Sequence, residues 1–87
     1  MPRDLSGDYL IKLLKPYGYT ITRQSDSYIR LTTSTQSQHH ITIPNHDPLK
    51  TGTLSAILSD IANHFGISKE ELLKNFLLGG YSINSFG

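Results

Sequence analysis

The chain has no cysteine, which excludes disulfides and thiolate metal sites and fits a reducing compartment. No apolar run is long enough to span a bilayer, and Met1-Pro2-Arg3-Asp4 does not resemble a secretion signal. An intracellular protein is therefore the expectation. An excess of one charge is missing too: eight Lys or Arg stand against seven Asp or Glu, a net charge of +1. A tight, sequence-independent nucleic-acid binder carries a larger basic footprint. Any such contact must come from a few cations on one face, and it should fall off quickly with salt. A Gly-rich nucleotide loop, a nucleophile elbow and paired zinc-type histidines are all absent. No metal and no cofactor is expected.

What is present suits one small domain. The 87 residues are 37% hydrophobic and 17% charged, and their aromatics are mostly Tyr. That length lies near the low end of what supports its own core. Leu5 to Tyr17 reads as a helix, with Ser6 as N-cap, Asp8 in the first turn, and Leu10, Ile11, Leu13, Leu14 and Tyr17 on one face. Pro16 cannot donate to Lys12, and Gly18 supplies a stop. Three short alternating segments follow: Tyr19 to Arg23, Tyr28 to Thr32 and His39 to Ile43. Polar turns separate them, so an antiparallel meander is expected. Its inward face would hold Tyr19, Ile21, Ile29, Leu31, Ile41 and Ile43. Its outward face would hold Thr20, Thr22, Tyr28, Arg30, His40 and Thr42.

From about Gly52 to Phe65, the residues Leu54, Ile57, Leu58, Ile61, Ala62 and Phe65 form a broad stripe that should cover the sheet. Gly66 ends that helix. Ser68-Lys69-Glu70-Glu71 is a capping box opening a short further helix, with Leu72, Leu73, Phe76 and Leu77 on its apolar side. Gly79-Gly80 should break this helix, and residues 79–87 read as a flexible tail beyond a single domain of residues 5–78. The class is α+β: helix, three-stranded antiparallel sheet, helix, plus a short C-terminal helix. Double-stranded-RNA-binding domains have this order, with one sheet face left open.

Chemistry concentrates between Ile41 and Leu54. Pro44 stops a strand, His46 sits in the turn, and a helix begins beside Lys50. A helix start has free N–H groups and a partial positive charge, so it can hold a phosphate. A cation placed there is electrostatically unhelpful unless an anion joins it. Gly52 would admit a ligand close to the backbone, and Thr51 and Thr53 offer hydroxyls, although their commoner role at such a place is to cap the helix. If Leu31 faces Ile41 and Ile29 faces Ile43, then Tyr28 stands next to Pro44. Tyr28, His46 and the Lys50 helix start then share one end of the sheet, with Arg30 and His40 along the open face. A shift of two residues fits the pattern equally. The pair His39-His40 reads as solvated surface, and adjacent strand residues point to opposite faces, which makes a poor metal site.

Several pieces of the chain together resemble the HicA toxins, small messenger-RNA interferases of toxin–antitoxin modules. They are Ser6-Gly7, Leu13-Leu14 leading to Gly18-Tyr19, Arg23-Gln24, and above all Ile43-Pro44-Asn45-His46 followed by Leu49-Lys50-Thr51-Gly52-Thr53-Leu54 and Ile57-Leu58. The resemblance implies a double-stranded-RNA-binding-like fold, metal-independent cleavage of RNA and silencing by a HicB-like antitoxin. The family pattern has Gly-Ser-His at the start of the second strand, where its His is essential. This chain reads Asp26-Ser27-Tyr28 there. A tyrosine ordinarily titrates near ~10 and is a poor base at neutral pH. The expectations are Tyr28 and His46 at the catalytic position, with His40 a further candidate base. Arg23, Arg30, His40, Lys50, Gly52 and Thr53 are the expected RNA and phosphate contacts. A catalytically silent module that binds a HicB-like antitoxin, or another protein, through its open sheet face is the rival.

Overall fold

The structure, a computed structural model, describes residues 6–46 and 48–78. Helix α1 spans Gly7–Leu14, with the Ser6 hydroxyl accepting the Tyr9 N–H as an N-cap. Pro16 tightens the chain into a 3-10 turn over Lys15–Tyr17, and Gly18 leaves it at φ 89°. The helix is thus shorter than the periodicity implied. Strands β1 (Thr20–Gln24), β2 (Tyr28–Thr33) and β3 (His39–Pro44) follow, then α2 (Thr51–Phe65) and α3 (Lys69–Leu77). The sheet has the order β1-β2-β3 and both pairings are antiparallel. This is the α+β arrangement expected, with the element order of a double-stranded-RNA-binding domain. Among the described residues no helix is long and apolar enough to cross a membrane.

The β2–β3 register sets Leu31 against Ile41, Ile29 against Ile43 and Tyr28 against Pro44. Leu31, Ile41 and Ile43 are buried with Leu10, Leu14 and Tyr17 of the first helical segment. The whole predicted α2 stripe, from Leu54 to Phe65, joins the same core. The first helix packs close: a Cβ on Gly7 would lie 3.3 Å from Ile43 Cγ2. Because Asp60 on α2 meets His39 at the start of β3, α2 runs back along β3 and its own start lies toward the Pro44 end.

Three apolar expectations need correction. Ile21 is 48% exposed; β1 is an edge strand, and beside Ile21 the chain offers only a shallow groove bordered by Ile11 and Lys15. Leu77 is 79% exposed, while Asn75 takes a buried place on α3. Asn75 is accommodated because its side-chain amide donates to the Tyr17 hydroxyl at 2.9 Å. Leu49, which the periodicity did not mark, is buried in the connection before α2. The expected Gly79-Gly80 break and the tail lie outside the described residues.

Candidate nucleic-acid interface

The open face of the sheet owes its layout to one irregularity. Thr20 pairs with Thr32 and Ile21 with Leu31, but the register then shifts and Arg23 pairs with Arg30. One residue, Thr22, is extra on β1, as in a β-bulge. Strict alternation would have turned Arg23 to the side of Ile21. The bulge sets it opposite Arg30, on the side away from the helices. Like charges directly opposite each other in a sheet are destabilising. Among the described residues neither arginine has a salt-bridge partner, so the fold leaves two adjacent cations without a counter-ion.

Further along this face the side chains are tied together. Thr22 Oγ1 lies 2.8 Å from Thr32 Oγ1, and Thr32 Oγ1 lies 2.8 Å from His40 Nδ1. His40 itself is exposed. At the other end of β2, Tyr28 is half-buried, and its N–H and that of Ser27 both donate to the Ser25 hydroxyl. The Asn45 N–H donates to Ser27 O at 2.8 Å, and its side-chain amide donates to Asp26 O at 3.1 Å. The turn bearing Asp26 is thereby bolted to the residue before His46. His46 is exposed, and its N–H donates to Pro44 O. It borders a cavity of about 110 Å³ with Gly7, Asp8, Ile29 and Ile43.

The start of α2 is bare. Lys50 occupies the N-cap position with no side-chain hydrogen bond, and the first turn has no acidic residue. Capping by Thr51 or Thr53, the commoner expectation, does not occur. Gly52 is exposed, and a Cβ there would meet nothing within 4 Å, so the fold itself does not demand glycine at this place.

His39 departs from the solvated-surface reading. It shares the inward side with Ile41 and Ile43, and its Nδ1 is hydrogen-bonded to the Tyr19 hydroxyl at 2.7 Å while its Nε2 is hydrogen-bonded to Asp60 Oδ1 at 3.2 Å. Both ring nitrogens thus have a hydrogen-bond partner. Its ring stacks on His64 with centroids 4.5 Å apart, and His64 Nε2 donates to Thr35 O. The Tyr19 hydroxyl is pushed well above the ordinary tyrosine range, first by burial and then by the Asp60 charge. It is therefore a poor nucleophile, and the cluster reads as a polar brace between β1, β3 and α2. Its signal was present in the alternation that puts His39 with Ile41, and in the one-turn spacing of Asp60 and His64. Among the described residues no three His, Cys, Asp or Glu side chains are grouped as a metal site requires.

Residues 7–62 match the family described as HicA toxin of bacterial toxin–antitoxin, and that segment runs from the start of α1 into α2. The chain belongs to the HicA toxin family. No curated protein and no solved structure gave a match. The HicA match covers the Arg23–Arg30 pair, Tyr28, both of His40 and His46, and the bare helix start at Lys50. It stops before α3, so of the Asn75–Tyr17 pair only Tyr17 lies in the matched segment.

Proposed function

We propose that this HicA-family protein is a toxin directed at RNA, holding the phosphate backbone on the open face of its sheet. The observation that carries the reading is the pairing of Arg23 with Arg30, two cations that have no salt-bridge partner among the described residues, on a face that no described helix covers. An anion laid across them relieves their repulsion, which gives binding a driving force beyond simple steering. Lys50 and the amides of Gly52 and Thr53 form a second phosphate seat at the uncapped start of α2, and the open space at Gly52 supports close approach. Tyr28 supplies a ring for stacking on a base. Cleavage needs a group to take the 2′-hydroxyl proton, and His46 and His40 are the imidazoles at hand. Action on messenger RNA puts the protein in the cytoplasm, under the control of a HicB-like antitoxin.

The deciding experiment measures binding and cutting of single-stranded RNA in EDTA, with Tyr28→His beside the parent chain. Binding that weakens steeply with salt is expected for the parent, and faster cutting for Tyr28→His. Absence of RNA binding by both proteins would sink the reading. Asp26 and Tyr28 in the family's Gly and His positions favour a second reading, a silent module that only engages its antitoxin. Tight binding of a HicB-like protein together with no RNA affinity would select it.

A further inference from the structure

Among the described residues, the imidazole of His40 is the one basic side chain on the open face that is held in place by a built relay. Thr22 Oγ1, Thr32 Oγ1 and His40 Nδ1 form a chain with 2.8 Å at each link, crossing all three strands. Hydroxyls both donate and accept, so this chain can run in either direction. With Nδ1–H donating to Thr32, and Thr32 donating to Thr22, the other ring nitrogen is left as an unprotonated acceptor. When Nε2 gains a proton, that direction is the only one the imidazolium allows, and Thr32 then steadies the new charge. His40 faces Thr32 while Arg30 faces Thr42. His40 is thus the diagonal neighbour of Arg30, about 7–8 Å away. A phosphate on the Arg23–Arg30 pair would have its adjoining ribose within reach of the ring.

We propose that His40, aimed by Thr32 and Thr22, is the general base that cuts RNA held on the Arg23–Arg30 pair. The proposal rests on the RNA-directed reading above and names its chemistry. His40 Nε2 takes the 2′-hydroxyl proton, and the 2′-oxygen forms a bond to the adjacent phosphorus. The bond from phosphorus to the 5′-oxygen breaks, and that oxygen takes a proton from solvent. The products are a 2′,3′-cyclic phosphate and a free 5′-hydroxyl, and His40 later returns its proton to solvent. Arg23 and Arg30 bear the extra negative charge of the phosphorane. The catalytic centre then lies over the middle of the sheet, and Tyr28 serves as a flanking platform.

The test follows cleavage of an end-labelled single-stranded RNA of mixed sequence in EDTA, alongside a 2′-O-methyl version of the same oligonucleotide. The parent chain should bind both and cut only the first, leaving a cyclic phosphate end. His40→Ala should lose about 100-fold or more of the cutting rate, the scale of a general base, while RNA binding weakens by a far smaller factor. Thr32→Val should lower kcat with KM unchanged, and Thr32→Ser, which retains the hydroxyl, should restore it. Undiminished cutting by His40→Ala would overturn the assignment, as would cutting that disappears only in His46→Ala. A parent that binds RNA and leaves it intact overturns the role of His40 while the RNA-directed reading stands. A parent that binds neither oligonucleotide removes both.

Discussion

Arg23 stands directly opposite Arg30 because β1 carries one more residue than β2 needs between Ile21 and Arg23. The pair opposes folding and favours an anion, so stability and binding should separate on mutation. Arg23→Ala and Arg30→Ala should each weaken RNA binding and reduce the salt slope by about 1. Neither should lose more than about 0.5 kcal/mol of stability, since each removes a like-charge contact. Equilibrium denaturation beside salt-titrated RNA binding checks this. Unchanged binding in both variants would contradict a phosphate track at this position.

The register explains why much of this face is legible in the sequence and why its centre is not. Matching inward residues allows Leu31 against Ile41, with Tyr28 beside Pro44, but a shift of two residues fits equally, and the strand pairing selects the first. The apolar stripe of α2 was legible because six residues repeat at helical spacing and all six are buried. The bulge at Thr22 leaves no such trace, because Thr20-Ile21-Thr22-Arg23 alternates regularly, so the facing of Arg23 emerged only from the pairing. Ile21 and Leu77 differ for the opposite reason: they fit their patterns, but no described element packs over them. The partial burial of the His39 imidazole leaves no local trace, because it depends on Tyr19, Asp60 and His64, which lie far from it in the chain.

Gly18 and Gly66 both have positive φ, at 89° and 70°, yet they should respond differently to alanine. Beyond Gly66 a Cβ would meet nothing within 4 Å, so Gly66→Ala carries only the left-handed backbone cost of about 1–2 kcal/mol. At Gly18 a Cβ would lie 2.6 Å from Thr35 Oγ1 and 2.7 Å from Thr33 Oγ1. Thr33 cannot easily yield, because it is buried and its hydroxyl donates to Tyr17 O at 2.9 Å. Gly18→Ala should therefore lose clearly more stability than Gly66→Ala. Urea midpoints for the two variants decide it, and equal losses would rule out the crowding argument.

Tyr19 gives the fold an alkaline limit. Its hydroxyl is held above the ordinary value of 10.0 by burial and by Asp60. Above that pH the unfolded chain has released a proton that the folded chain keeps. The contribution is therefore complete below pH 10.0 and is lost progressively as pH rises beyond it. Tyr19→Phe should cost about 0.5–1.5 kcal/mol at neutral pH through the lost bond to His39, and should decline less steeply above pH ~10. Unfolding measured from neutral to strongly alkaline pH tests both parts. Parallel curves would show that Tyr19 is not the group responsible.

If the start of α2 holds a phosphate as proposed, substitutions at Lys50 should set stability against binding. It holds the N-cap position without making a cap, in a first turn that has no acidic residue. An aspartate there would accept a first-turn N–H and interact favourably with the helix dipole, for a gain of about 0.5–2 kcal/mol. In a domain of this size each 1 kcal/mol raises Tm by about 4–8 °C. The same change replaces a cation by an anion and fills the N–H groups that a phosphate would use. Lys50→Asp should therefore melt at higher temperature and bind RNA more weakly. Lys50→Ala, which adds no cap, should weaken binding with little change in Tm. A Lys50→Asp protein that is more stable and still binds RNA as before would show that the uncapped start of α2 serves no phosphate. The RNA contacts would then be left to the sheet face alone.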